Sequence, residues 1–76
     1  MKAFVLVKVA AGREKEALRA LHAIPTLEDV HFLFGEFDYI LTIASPDHAA
    51  LSRLVTQRVR KIPGLVRTAT LVEAPV

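Results

Sequence analysis

Apolar positions along the chain fall into four short runs, with two stretches of helical spacing between them. Ala3 to Val9 reads as a strand apolar on both sides, with Phe4 and Leu6 facing one way and Val5, Val7 and Val9 the other. Gly12 breaks that run. Ala17, Ala20, Leu21 and Ile24 then lie three or four positions apart, which predicts a helix over 13–24. Glu14 and Glu16 fall in its first turn, where the helix dipole favours negative charge, and Pro25 ends it. A second strand is predicted over 28–34 and a third over 38–44, both rich in β-branched and aromatic residues. Ser45-Pro46-Asp47 predicts a helix start, with Ser45 as N-cap and Pro46 at the first helical position. Leu51, Leu54, Val55, Val59 and Ile62 make its apolar stripe, and Pro63-Gly64 stops it. In the last strand, 65–73, Val66, Thr68, Thr70 and Val72 share one face, and Arg67, Ala69, Leu71 and Glu73 the other.

The order is βαββαβ, and the two halves resemble each other. Ala23-Ile24-Pro25 closes the first helix as Lys61-Ile62-Pro63 closes the second, and Phe4-Val5-Leu6-Val7 is similar to Tyr39-Ile40-Leu41-Thr42. A doubled βαβ of this length predicts an α+β, ferredoxin-like fold: a four-stranded antiparallel sheet with both helices on one face. The whole chain, 1–76, is expected to form a single domain.

Composition changes this picture in one respect. Hydrophobic residues make up 53% of the chain and the mean hydropathy is +0.38, high for a domain with so much surface for its volume. The surplus must enter a membrane or another subunit. No apolar run approaches the roughly 20 residues a membrane helix needs. Lys8 interrupts the first apolar run too early for a secretory leader. Oligomerisation is the better explanation, because helices cover one sheet face only and strands apolar on both sides leave the other face as an exposed patch. A homodimer or larger assembly through that open face is expected. The absence of cysteine excludes disulfides and thiol chemistry and is compatible with a cytoplasmic location. A net charge of +2 is too small for a nucleic-acid footprint.

The stretch with most chemistry in it is Gly35-Glu36-Phe37-Asp38, between two strand-forming runs. It reads as a hairpin tip carrying two carboxylates and one sterically open backbone position. Gly and Asp also favour plain turns for conformational reasons. Other constellations fall away. His22, His31 and His48 lack ligand spacing for a metal, and Ser45, Asp47 and His48 are neighbours at a helix start rather than a convergent triad. No phosphate-binding Gly-rich loop and no cofactor motif is present.

In order and spacing these elements resemble the effector-binding (RAM) domain of the Lrp/AsnC, or feast/famine, transcriptional regulators. The resemblance covers nearly the whole chain. It rests on Ala3-Phe4-Val5-Leu6-Val7, the Gly35-Glu36-Phe37-Asp38-Tyr39 hairpin, Leu54-Val55, the exit Arg60-Lys61-Ile62-Pro63-Gly64-Leu65-Val66 and the spaced Thr68, Thr70 and Val72. Full regulators of that family carry an N-terminal helix-turn-helix domain, whereas this sequence opens on the first strand, so a stand-alone effector domain without direct DNA binding is expected. The resemblance implies binding of a free amino acid at contacts between dimers, and assembly into rings of dimers. It places Asp38 at the α-ammonium and the main chain near Gly35 at the carboxylate, with Glu36 and Phe37 completing the tip. Thr68 and Thr70 would add hydroxyls from another subunit.

Two alternatives belong to other classes. Dimeric α+β-barrel oxygenases and isomerases share this size, but no ionisable pair reads as buried here, so an enzyme is not expected. A purely structural partner co-assembling with full-length regulators is the other. The sequence therefore predicts a cytoplasmic, non-enzymatic, amino-acid-binding oligomer that needs neither metal nor cofactor.

Overall fold

The computed structural model describes residues 1–75, and in it the predicted order of elements is present. The strands are β1 (Lys2–Val9), β2 (Leu27–Phe32), β3 (Tyr39–Ala44) and β4 (Leu65–Val72), and the helices are α1 (Glu14–His22) and α2 (His48–Leu54). They form one antiparallel sheet in the order β2-β3-β1-β4, the ferredoxin-like arrangement. β1 lies inside the sheet and pairs with β3 on one side and β4 on the other, which explains why it is apolar on both faces.

The pleat sorts these residues. Ala3, Val5 and Val7 are completely buried, and directly opposite them on β3 sit Ile43, Leu41 and Tyr39, also buried. Leu21 of α1 and Val59 beyond α2 close the same core, so this is the helix-covered face. Phe4 and Leu6 lie on the other face, paired with Thr42 and Ile40 of β3 and with Leu71 and Ala69 of β4. Among the described residues no helix covers them.

Local signals explain most element ends. Gly64 holds φ of +91°, a conformation open to glycine, and its carbonyl accepts from Ala10 N–H at 2.8 Å, tying the exit of the second helical segment to the end of β1. A Cβ at Gly64 would lie 2.9 Å from the Cβ of Arg13, so the position is restricted twice over.

Three expectations require correction. Asp47, not Ser45, caps α2: its backbone is extended and its carboxylate accepts from Ala50 N–H at 2.8 Å. Ser45 instead donates its hydroxyl to the Asp47 carbonyl, so Pro46 precedes the cap and pre-sets the turn. The regular α-helix also ends at Leu54. The chain continues through Val55–Val59 as a wider π-type turn, with Arg60 N–H donating to Val55 O at 2.9 Å. Finally, β2 stops at Phe32, which leaves Leu33 and Phe34 in the connection to β3 and makes it longer than a tight turn at 35–38.

Candidate functional site: the connection between the second and third strands

The loop from Leu33 to Asp38 is closed at its base by Leu33 N–H donating to Asp38 O at 2.8 Å. Asp38 then fastens the loop to β1 twice. Its own N–H donates to Val7 O at 2.8 Å, and its carboxylate accepts from Val9 N–H at 2.7 Å. The reason lies in the register: the β1–β3 ladder ends at the Val7–Tyr39 pair, so β1 runs past its partner and Val9 N–H needs another acceptor. Asp38 supplies one. That bond engages Oδ2, and Oδ1 has no bond of its own among the described residues.

The tip is held from the other side. Glu36 pairs with Arg67 of β4, and the Arg67 guanidinium carbon lies 5.2 Å from the centroid of the Phe37 ring. Arg67 shares the open sheet face with its register partner Lys8, so the loop reaches from β3 past the end of β1 to β4. Each of these exposed contacts is worth only about 0–1 kcal/mol, but together they give the tip a defined position. Gly35, at φ +118°, keeps open space where a side chain would stand, so its main chain is approachable.

Tyr39 opens β3 directly below. It is almost wholly buried, its ring packs against Phe32 at 5.2 Å between centroids, and its phenol is pushed above the ordinary value by burial, then by the carboxylates of Asp38 and Glu14. The phenol is therefore a neutral hydroxyl at physiological pH, placed where it senses both acids.

Gly35, Glu36, Phe37 and Asp38 are thus gathered at one place, whereas Thr68 and Thr70 are not. Their register partners are Val7 and Val5, which puts them on the helix-covered side of β4, the opposite face from Arg67, where the loop meets that strand. Thr70 lines a groove of about 390 Å³ with His48, Ser52, Thr56 and Arg60. Within one chain the two halves of the expected site face different spaces. Arg67 was missed by sequence reading because its partner Glu36 is remote in sequence, and nothing local to Arg67 signals the pairing.

A model of the Lrp/AsnC ligand binding domain matches residues 2–73. The chain belongs to this family. It is 32% identical over 73 residues to the proline dehydrogenase transcriptional activator of Rhizobium radiobacter, covering 92% of this chain and 47% of that protein. The Lrp/AsnC domain thus spans about half the length of the curated relatives it matches. Among solved structures it superposes on FFRP-DM1 with a TM-score of 0.89 at 30% identity, covering 96% of this chain and 97% of that one. It also superposes on the regulator NMB0573 of Neisseria meningitidis, solved as a complex with L-Met, with a TM-score of 0.87. That match has 20% identity, covers 99% of this chain and 51% of the other, and shows the shared fold. This protein is accordingly a ligand-binding domain of the kind found in transcriptional regulators. No helix among the described residues is long and apolar enough to cross a membrane.

Proposed function

We propose that this Lrp/AsnC domain binds a free amino acid at the β2–β3 loop and acts, as an oligomer, to modulate transcription through full-length regulators with which it co-assembles. The observation that carries the reading is the fixed loop itself. Asp38 is anchored to β1 and Glu36 and Phe37 to Arg67, while Gly35 between them leaves its main chain open. Such an arrangement suits a zwitterion: Asp38 offers its unbonded carboxylate oxygen to an α-ammonium, and main-chain N–H groups near Gly35 receive the α-carboxylate. The rigid setting limits the ordering a ligand must impose on the loop. Thr68 and Thr70, which line other grooves in their own chain, would contribute hydroxyls to the site of a neighbouring subunit.

Oligomerisation follows from the open face. Phe4, Leu6, Ile40 and Leu71 share it without helical cover, and Leu71 is 54% exposed in the single chain. A second copy pairing face to face buries this patch, and pairs of dimers closing into a ring would bring a β4 edge from one dimer towards a loop from another. The fold family and the relatives support a regulatory rather than catalytic role.

Calorimetric titration of the purified protein with each protein amino acid tests the reading. Saturable binding of one or a few of them, lost in Asp38→Ala, is the expected outcome. No heat with any amino acid at millimolar concentration would overturn it.

A further inference from the structure

The sheet ends in two edges that differ in protection. β2, at one edge, is six residues long, carries Glu28, Asp29 and His31, and has a register irregularity between Leu27 and Asp29. Shortness, charge and a bulge are devices that keep a strand edge from pairing. β4, at the other edge, is eight residues long, and Arg67 is its one charged residue. Glu36 already engages that charge. β4 contains no proline, its register irregularity lies at the Leu65 end, and Val66 and Leu71 are 62% and 54% exposed. The hydrogen bonds show which backbone groups are unused. Glu73 N–H donates to Lys2 O at 2.9 Å, just past the end of β4. Residues of an antiparallel ladder alternate, so Leu71, Ala69 and Arg67 turn their backbone groups to β1, and Val72, Thr70 and Thr68 turn theirs outwards. Among the described residues no further strand takes them.

We propose that this edge is an interaction surface for a second copy of the chain, whose β4 adds antiparallel about a two-fold axis through Ala69. Two conditions select the partner and the register. An outward-facing residue must meet an outward-facing one, and every contact of a two-fold pair occurs twice. Centring on Ala69 satisfies both. Thr68 then faces Thr70 of the second copy, and Val66 faces Val72. Threonine against threonine, with the backbone bonds of those pairs on either side of the axis, is a favourable cross-strand match. Arg67 faces Leu71, so no two cations meet within the seam, and the smallest side chain of β4 stands where a residue meets itself. Arg60 opposes the contact. It lines grooves beside Val66, Thr68 and Thr70 and brings like charge to the helix-covered side of both copies, screened beyond about 8 Å at physiological salt. An unrelated peptide would meet the same backbone groups without the side-chain matching that β4 has with itself. The edge contact is separate from face-to-face pairing over Phe4 and Leu6, and either can fail alone. Together the two contacts alternate through a larger assembly, closed or open according to the angle between their axes.

A cysteine at the axis tests the proposal, because the chain has none of its own. Facing residues of a non-hydrogen-bonded pair stand about 4.5 Å apart at Cα, within the span of a disulfide. Ala69→Cys is oxidised mildly, with and without Leu6→Glu to remove the face contact, and run on a non-reducing gel. The expected result is a disulfide-linked dimer as the main product in both. Arg67→Cys should link roughly tenfold less, since two such cysteines lie about 13 Å apart along the paired strands. Thr70→Pro added to Ala69→Cys should abolish the link, because proline removes an outward donor and blocks the approach while sparing the bonds to β1. Circular dichroism checks that each variant is folded. Equal linking at positions 67 and 69 overturns the proposal, as does a link that survives Thr70→Pro. A link lost with Leu6→Glu overturns it too, since the open face then supplied the contact. Folded Ala69→Cys chains that stay unlinked overturn it and leave the edge to an extended segment of another protein.

Discussion

The carboxylate of Asp38 accepts a hydrogen bond from the backbone N–H of Val9 at 2.7 Å, across 29 positions of sequence. This bond replaces the ladder partner that β3 no longer supplies beyond Val7, and it fixes the loop on which the candidate site is built. A residue of the candidate site is thus also a structural tie.

Substitutions at Asp38 should separate these roles. Asp38→Ala leaves a partly buried N–H unanswered and should lower the unfolding free energy by about 1–3 kcal/mol, measured by urea denaturation. Asp38→Asn retains an oxygen acceptor for Val9 and should be milder in stability while still losing the charge offered to an ammonium. Equal stability of wild type and Asp38→Ala would show that Val9 does not depend on this carboxylate.

The open face is addressed through Leu6, which the sheet register places there, while its neighbour Val5 is buried under the helices. Leu6→Glu should keep the fold and reduce the mass seen by light scattering to a smaller species, because a buried unpaired charge at an apolar interface is strongly unfavourable. Val5→Glu should instead unfold the chain. An unchanged mass for Leu6→Glu would move the interface to another surface.

Gly64→Ala should destabilise the domain by about 1–3 kcal/mol. The left-handed conformation costs a residue with a Cβ roughly 1–2 kcal/mol, and here that Cβ meets Arg13 at 2.9 Å. Gly12, also at positive φ but with nothing near its added Cβ, should show only the conformational part. Thermal melting of the two variants side by side makes the comparison.

Tyr39 gives a pH dependence with a definite sign. Burial, Asp38 and Glu14 raise its phenol above the ordinary 10.0, so the folded chain keeps a proton that the unfolded chain releases. This contribution to stability is complete below pH 10.0 and is lost as pH rises through the higher folded value. Tyr39→Phe should therefore show a shallower alkaline decline in stability than wild type, followed by denaturant titrations at increasing pH. Parallel declines would refute the assignment.

Much of the architecture was legible in the chain because its causes are local. Alternation in β1 and β3, the spacing of Ala17 and Leu21, and the stops at Pro25 and Gly64 follow from near-neighbour sterics and from which side of an element turns from water. The doubled βαβ order followed directly. Where a signal was local but ambiguous, reading failed by a short step: Ser45 and Asp47 are both good caps, and only the extended backbone at Asp47 brings its carboxylate to Ala50 N–H.

What the tertiary structure alone decided concerns pairs remote in sequence. Alternation showed that Leu6 and Val5 lie on opposite faces, but which face the helices cover depends on how α1 and the segment around Val59 pack across the sheet. Gly35 to Asp38 stood out as a candidate by residue type; its attachments to Val9 and Arg67, and the placing of Thr68 and Thr70 on the helix-covered side of β4, did not. Those depend on strand order and register, which arise from the simultaneous burial of many apolar side chains and cannot be read from any one segment.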